Sequence, residues 1–270
     1  MSQLIYESNK KLKKICQRND CYHRIFSLPI TRFILAFNLM SPTQITFLDF
    51  FIGLFGIVLL FIGHEWSFVI GTIFLQLFEI FDCIDGEVAR YLIYKRQLKR
   101  TITETRVVEF IQDIIHPILQ PLIYLGFGYG LFFNYHQPSI LILSYLAAIG
   151  TSVDTYINTI REKLIGSSRI SNVSRSYNEM KAKSEKLLRF FPFGKIIVEI
   201  MTFIAPIPGV IAILNFAAIL DLFFFPNMQT TFLFGFPINF KILCLIFYAF
   251  LQQLLWIMNA KQSIIYLQKK

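Results

Sequence analysis

The stretch WSFVIGTIFLQLFEIFDCIDGEVAR, residues 66–90, decides how this chain is read. Its first sixteen residues, up to Phe81, are mostly apolar. They run into Asp82, Asp85, Glu87 and Arg90 without a proline or a run of small polar residues between. An apolar run of about 20 residues is long enough to cross a bilayer core. Carboxylates set at the end of such a run are costly, and they tend to be kept for function. Asp82 and Asp85 are three apart and share one face of a helix. The next apolar segment opens with a second acidic pair, Glu109 and Asp113, four apart and likewise on one face. Four oxygen-bearing side chains from neighbouring helices suit one hard divalent cation, or two.

Composition supports a membrane reading. Of 270 residues 55% are hydrophobic, 30 are Phe and only 16% are charged, too little polar surface for a soluble domain of this length. The expectation is an all-α integral membrane protein with six transmembrane helices near 45–63, 66–84, 107–133, 138–160, 196–224 and 238–259. An N-terminal interfacial amphipathic helix precedes them. Residues 1–40 form the cytoplasmic and interfacial segment, and residues 41–270 the six-helix membrane domain. Ser41-Pro42-Thr43 reads as a helix start, a hydroxyl cap followed by proline in the first turn. Pro206 and Pro208 predict a kink or break in the fifth span. The N-terminus is polar and basic, with no secretory signal pattern.

Charge sets the orientation. Lys and Arg crowd the segment from Arg90 to Arg106, the segment from Arg161 to Lys195 and both termini. The loops around His64-Glu65, Asn134-Tyr135-His136 and Asn227-Met228-Gln229 have none. Six spans with both termini cytoplasmic satisfy the positive-inside rule at every loop. The net charge of +9 is thus explained by topology, and nucleic acid is not an expected partner. Both acidic pairs then face the cytoplasm. Cys16, Cys21, Cys83 and Cys244 are scattered, complete no zinc pattern and read as packing residues.

The chemistry follows from the residue types. Divalent cations beside a guanidinium such as Arg90 neutralise a phosphoanhydride. Gly86 and Ala89 would let a flat ligand press against the helix backbone. A fourth carboxylate near two metals can take the proton of an attacking hydroxyl. The residues suggest displacement at phosphorus and do not name the leaving group.

Asp82-x-x-Asp85-Gly86-x-x-Ala89-Arg90 resembles the first half of the CDP-alcohol phosphotransferase signature, D-x-x-D-G-x-x-A-R, followed after about eight residues by G-x-x-x-D-x-x-x-D. The second half falls on Thr105-x-x-x-Glu109-x-x-x-Asp113, with Thr for Gly, Glu for Asp and a spacer of 14 residues. Ser41-Pro42-Thr43-Gln44-Ile45-Thr46 resembles the family's P-N-x-x-T opening. The resemblance implies that Asp82, Asp85, Glu109 and Asp113 hold Mg2+ or Mn2+, two ions, with Asp113 also the base on the acceptor hydroxyl. It implies that Gly86, Ala89 and Arg90 face a cytidine nucleotide. The implied reaction replaces CMP on a CDP-linked donor, either CDP-diacylglycerol or a soluble CDP-alcohol, with an acceptor alcohol. A homodimer among membrane lipids is implied as well. Another register takes Asp113 as third acid with His116 near the fourth position, although His116 also reads as a packing histidine. Glu79 and Asp49 read as supporting or interface polar residues, and Arg161 and Lys195 as topological anchors. Competing readings are a catalytically degenerate relative, a transporter or binding protein, and an intramembrane prenyltransferase. That last class has differently spaced acidic motifs and lacks Gly-x-x-Ala-Arg.

Overall fold

The computed structural model describes residues 21–94, 98–165, 207–225, 231–233 and 236–267. Among them are seven helices: α1 (Cys21–Phe37), α2 (Pro42–Ile62), α3 (Glu65–Tyr94), α4 (Leu98–Tyr135), α5 (Pro138–Ile165), α6 (Ile207–Phe224) and α7 (Phe240–Leu267). A small antiparallel hairpin, β1 (Thr231–Leu233) and β2 (Phe236–Ile238), precedes α7.

Five of these helices are long and apolar enough to cross a membrane: α2, and the segments Glu65–Ala89 of α3, Phe110–Tyr135 of α4, Pro138–Ile157 of α5 and Phe240–Lys261 of α7. The expected count of six is not met among the described residues. The apolar stretch of α6, Gly209–Phe224, is shorter, and residues 196–206 of the expected fifth span lie outside the described residues. Pro206 lies outside the described residues and Pro208 is the second residue of α6 as described, so the expected kink or break falls at the edge of the described residues. The basic N-terminal segment before Cys21 and the charged stretch 166–195 also lie outside the described residues.

Local sequence explains the helix ends. Ser41 caps α2: its hydroxyl accepts from the Gln44 N–H at 3.3 Å, and the Gln44 side chain accepts from the Ser41 N–H at 2.9 Å. This reciprocal capping box with proline at the first helical position is the start that the sequence predicts. Gly63 ends α2 in the left-handed conformation with φ 76°. A side chain there would also strike the backbone of Gly130, so α2 and α4 touch through their main chains. Asn134 ties the crossing by donating to the carbonyls of Gly63 at 2.6 Å and Gly130 at 2.8 Å.

α3 is the hub. It packs on α2, α1, α4 and α6, while α7 packs on α5 and α6. The main core runs through Ile57, Leu60, Phe68, Leu75, Phe78, Leu119, Phe127, Ala147, Leu214, Leu245 and Tyr248. On α2 the opposite side is apolar and outward. Phe47, Phe51, Phe55, Val58 and Ile62 are all about half exposed or more. A stripe of that kind suits a lipid environment and would be a liability in water. α1 carries a similar outer face in Ile25, Phe26, Phe33 and Phe37, and turns His23, Ser27, Thr31 and Ile34 onto α3. Of the expected N-terminal segment 1–40, the part from Cys21 onward is thus a helix with one outward apolar face.

Candidate functional site

The signature residues lie within continuous helix, because α3 runs on through Asp82 and Asp85 to Tyr94. Asp82 and Asp85 therefore share a face by helical spacing. Asp85 is fully buried, whereas the side chain of Asp82 is 29% exposed. Three helices meet at this pair.

From α2, the Thr46 hydroxyl donates to Asp85 Oδ2 at 2.8 Å. The same hydroxyl also lies 3.1 Å from the Pro42 carbonyl, one turn back. It has a single proton, and the charged acceptor makes the stronger bond. The opening segment that starts α2 thus delivers its last residue onto the acid motif. From α4, Gln112 Nε2 donates to Asp82 Oδ1 at 3.0 Å and to Asp85 Oδ1 and Oδ2 at 3.1 and 3.0 Å. One turn further along α4, His116 Nε2 lies 3.0 Å from Asp82 Oδ1. The His116 ring also stacks at a tilt on Phe78, with centroids 5.7 Å apart.

Two more acids stand behind the pair. Asp49, on the buried face of α2, is 1% exposed, and its Oδ1 has no hydrogen-bond partner among the described residues. It lies within electrostatic range of Asp82, Asp85 and Glu79, and Glu79 is itself buried on α3. A buried carboxylate oxygen with no donor is costly unless the group is neutral or a positive charge lies near it.

The expected residues are distributed as follows. Asp82 and Asp85 are together and bridged by one amide. Gly86 is half-buried and Ala89 buried on the same helix, while the Arg90 side chain lies outside the described residues. The side chains of Thr105 and Glu109 also lie outside them, and Asp113 is exposed on α4. Among the described residues of α4, Gln112 and His116 contact the acid pair. His116, read from sequence either as packing or as near the fourth position of the other register, touches both the acid and the core. Gln112 was not singled out at all. The only signal for it was its position four residues before His116, and a search for carboxylates passes over an amide.

Glu87, inside the motif, was another omission. Its two oxygens accept from Ser27 at 3.0 Å and Thr31 at 2.7 Å, so it docks α1 onto the signature helix. At the far end of α3 there is a second buried polar centre. Asp221 of α6 accepts from the backbone N–H groups of Phe240 and Lys241 at 2.8 and 3.1 Å, and pairs with Lys241 Nζ at 3.4 Å. That ammonium also lies 5.0 Å from the centre of the Phe68 ring.

Residues 39–95 match the family model for CDP-alcohol phosphatidyltransferase. The match takes in the capped start of α2, Thr46 and the whole Asp82–Arg90 motif, and ends before α4. No curated protein matches the chain significantly. The matched residues are those that build the floor of the site: Thr46 on α2 and the two aspartates on α3. The family domain supports transfer of a phosphoalcohol group from a CDP-alcohol, in a protein with several apolar helices fit to cross a membrane.

Proposed function

We propose that this chain transfers a phosphatidyl or substituted phosphoalcohol group from a CDP-linked donor to an acceptor alcohol, with release of CMP, at the cytoplasmic side of a membrane. The observation that carries this reading is the convergence of Asp82 and Asp85 on one point beside Thr46, inside the segment that matches the family. The Lys and Arg bias of the loops supports the orientation.

The donor set suits a hard divalent cation, Mg2+ or Mn2+. Among the described residues no three His, Cys, Asp or Glu side chains are arranged to hold a metal by themselves. Mg2+ in phosphate chemistry is commonly held by one or two carboxylates, with substrate phosphates and water completing the shell. Asp82 and Asp85 are two such carboxylates. A cation bound there would neutralise charge on the anhydride oxygens.

The chain's own groups do the rest. Thr46 fixes the buried Asp85 carboxylate and leaves it facing α4. His116 holds the more exposed Asp82. Gly86 leaves the signature helix without a side chain next to Asp85, where the donor's phosphates would lie. In the reaction the acceptor oxygen forms a bond to the donor's distal phosphorus. The anhydride bond to CMP breaks, and CMP leaves with that electron pair. The hydroxyl proton passes to a carboxylate or to water. Asp113 is not carried into this reading as the base, since it is exposed on α4 while its neighbour Gln112 faces the acids.

One observation favours a second reading, a member of the fold that binds a CDP-linked lipid without turning it over. α4 offers an amide and an imidazole to the acid pair. The experiment separates the two. Purified full-length chain in lipid nanodiscs is given Mg2+ or Mn2+, a panel of CDP-linked donors and acceptor alcohols, and CMP is measured. Metal-dependent CMP release, lost in Asp85→Asn, is expected. Saturable donor binding with no CMP release from any donor would leave only the second reading.

A further inference from the structure

We infer that the acceptor alcohol is a small water-soluble polyol, held beside the acid pair by the side-chain amide of Gln120, so that the CDP-linked donor is the lipid substrate. This inference deepens the transferase reading and rests on it.

The first observation is a polar level in the bundle. Gln112, His116, Gln120 and Tyr124 stand four apart on α4, on the side of the buried Leu119 and Phe127 and away from the outward Ile114 and Ile118. The ends of α2 and α4 are level, because Asn134 binds the Gly63 carbonyl, and Asn239 at the start of α7 binds Tyr135 at 2.8 Å. Counted from those ends, Asp82 is seventeen positions along α3, Gln120 fifteen back along α4, Asp154 sixteen along α5 and Asn259 nineteen along α7. At 1.5 Å per residue all four lie about 22–29 Å down. At that level α5 and α7 turn polar groups inward. Asn259 donates to Asp154, and the Thr155 hydroxyl lies 3.4 Å from Gln120 Oε1. Nearer the other end the same three helices pack through Phe127, Ile140, Ala147 and Leu245. Polar side chains inside a membrane bundle are costly and gather where a polar ligand binds.

The second observation is the Gln120 amide itself. One turn deeper, Gln252 donates to the Tyr124 hydroxyl at 2.9 Å with both side chains buried, a closed structural contact. Gln120 is only half-buried and weakly held. The single proton of Thr155 is shared between Gln120 Oε1 and the Thr151 carbonyl, which is nearer at 3.0 Å. The Gln120 nitrogen makes no hydrogen bond among the described residues and, unlike Asp49 Oδ1, is not sealed from its surroundings. Its two hydrogens are thus unspent, one helical turn or about 5.4 Å along α4 from His116, which holds Asp82.

The chemistry of these groups selects the acceptor. An amide donor, with a hydroxyl and a carboxylate on the neighbouring helix at the same level, suits a ligand with several hydroxyls, each of which both donates and accepts. One hydroxyl, placed at the acid pair, attacks the donor's distal phosphorus, and another accepts from Gln120. Diacylglycerol offers a single hydroxyl beside two ester-linked chains. It would leave the amide hydrogens unmet, and a site built to hydrogen-bond a substrate hydroxyl rejects a ligand that lacks it.

The test compares two substrate pairs. Full-length protein in lipid nanodiscs with Mn2+ is given CDP-diacylglycerol and a polyol (glycerol or myo-inositol, free or as its monophosphate), or diacylglycerol and soluble CDP-ethanolamine. CMP release is expected from the first pair alone. Gln120→Met matches the side chain in size and removes its polar atoms. It should raise the KM for the polyol about ten-fold and leave the KM for the donor unmoved, which also shows that the variant is folded. Thr155→Val, which frees the amide from its weak clamp, should raise the polyol KM about three-fold. Turnover of the second pair, a polyol KM that stays put in Gln120→Met, or a rise in the donor KM instead would overturn the inference and leave the transferase reading standing. Binding of the polyol is followed separately by saturation-transfer NMR. A polyol signal lost in Gln120→Met, with no CMP released from any pair, keeps the polyol site and removes the transferase reading. Neither signal nor CMP removes both.

Discussion

The two ends of α3 treat a buried carboxylate in opposite ways. Near its start, Asp221 of α6 receives two backbone N–H groups and the ammonium of Lys241, all within the protein. Near its other end, Asp82 and Asp85 receive an amide, a hydroxyl and an imidazole. Phe68, which touches Lys241, and Asp82 are fourteen positions apart on the same helix, about 21 Å. The first centre is complete. Its acid sits at the N-terminus of α7, where the helix dipole favours negative charge and Asn239 caps the next open N–H. The second has two carboxylates and, among the described residues, no lysine or arginine against them. A buried acid that brings its own cation is read as structure, and one that lacks a cation is read as a place for a ligand.

The sharpest test of that contrast removes one acid from the open end. Asp85→Asn and Asp82→Asn should each reduce CMP release to background and lower Mn2+ affinity, while the protein still folds, because among the described residues no lysine or arginine depends on either acid and the asparagine amide can still accept from Thr46 or His116. A pronounced fall in thermal stability with normal turnover would reverse the assignment.

At the closed end the expected loss is in stability. Lys241→Met leaves Asp221 buried beside its remaining donors without its counter-charge, which costs about 3–5 kcal/mol. The double variant Asp221→Asn, Lys241→Met removes both charges and keeps an acceptor for the α7 N–H groups, so much of the loss should be recovered. Thermal unfolding in detergent measures both. CMP release per folded molecule should be unchanged, and a double variant as unstable as the single one would break the comparison.

A smaller effect is expected at Thr46, which supports Asp85 and is no ligand itself. Thr46→Val keeps the shape, removes one donor and should lower Mn2+ affinity and turnover by about ten-fold. Thr46→Ser should restore both.

Much of this fold could be read from the chain. Apolar blocks of spanning length, a Ser41-Pro42 start and an amphipathic segment before it are local signals, and each maps to α2, α3, α4, α5, α7 or α1. What the blocks hid is that helices outlast hydropathy. α3 continues to Tyr94 and α4 begins at Leu98, because Glu, Lys and Arg are good helix formers that end a span without ending a helix. The acid pair was legible for the same local reason, since three-residue spacing needs no partner. Its α4 half was not. A pattern written in carboxylates pointed to Glu109, whose side chain lies outside the described residues, and to Asp113, with His116 in the other register; an amide such as Gln112 has no place in that pattern, yet it and His116 contact the pair. Nor could Asp221 and Lys241 be paired from sequence. They are twenty positions apart, and the segment that joins their helices, with its short hairpin, shows no helical periodicity.

The smallest expected effect concerns Glu87, which lies between the two ends in character: a half-buried acid satisfied by neutral hydroxyls, yet inside the motif. Ser27 and Thr31 give one bond to each of its oxygens, and Ile34 packs nearby on Ile84 and Val88. Glu87→Gln keeps one acceptor oxygen. Its new NH2 can donate to a hydroxyl that turns to accept, so only the charge-assisted part of two bonds is lost, about 1 kcal/mol. Glu87→Leu leaves two buried hydroxyls without that acceptor and should cost more. The sensor is Ile34→Cys, 5% exposed in the native protein, labelled with a maleimide. If α1 is held by Glu87, the labelling rate should rise about five-fold in Glu87→Gln and further in Glu87→Leu, as the open population grows with the lost free energy. Mn2+ affinity should not move, since Glu87 faces α1 while Asp85 faces α4. Equal labelling in all three proteins would mean that the apolar contacts of Ile34 alone hold α1, and Glu87 would then join Asp82 and Asp85 as an acid whose purpose is not structural.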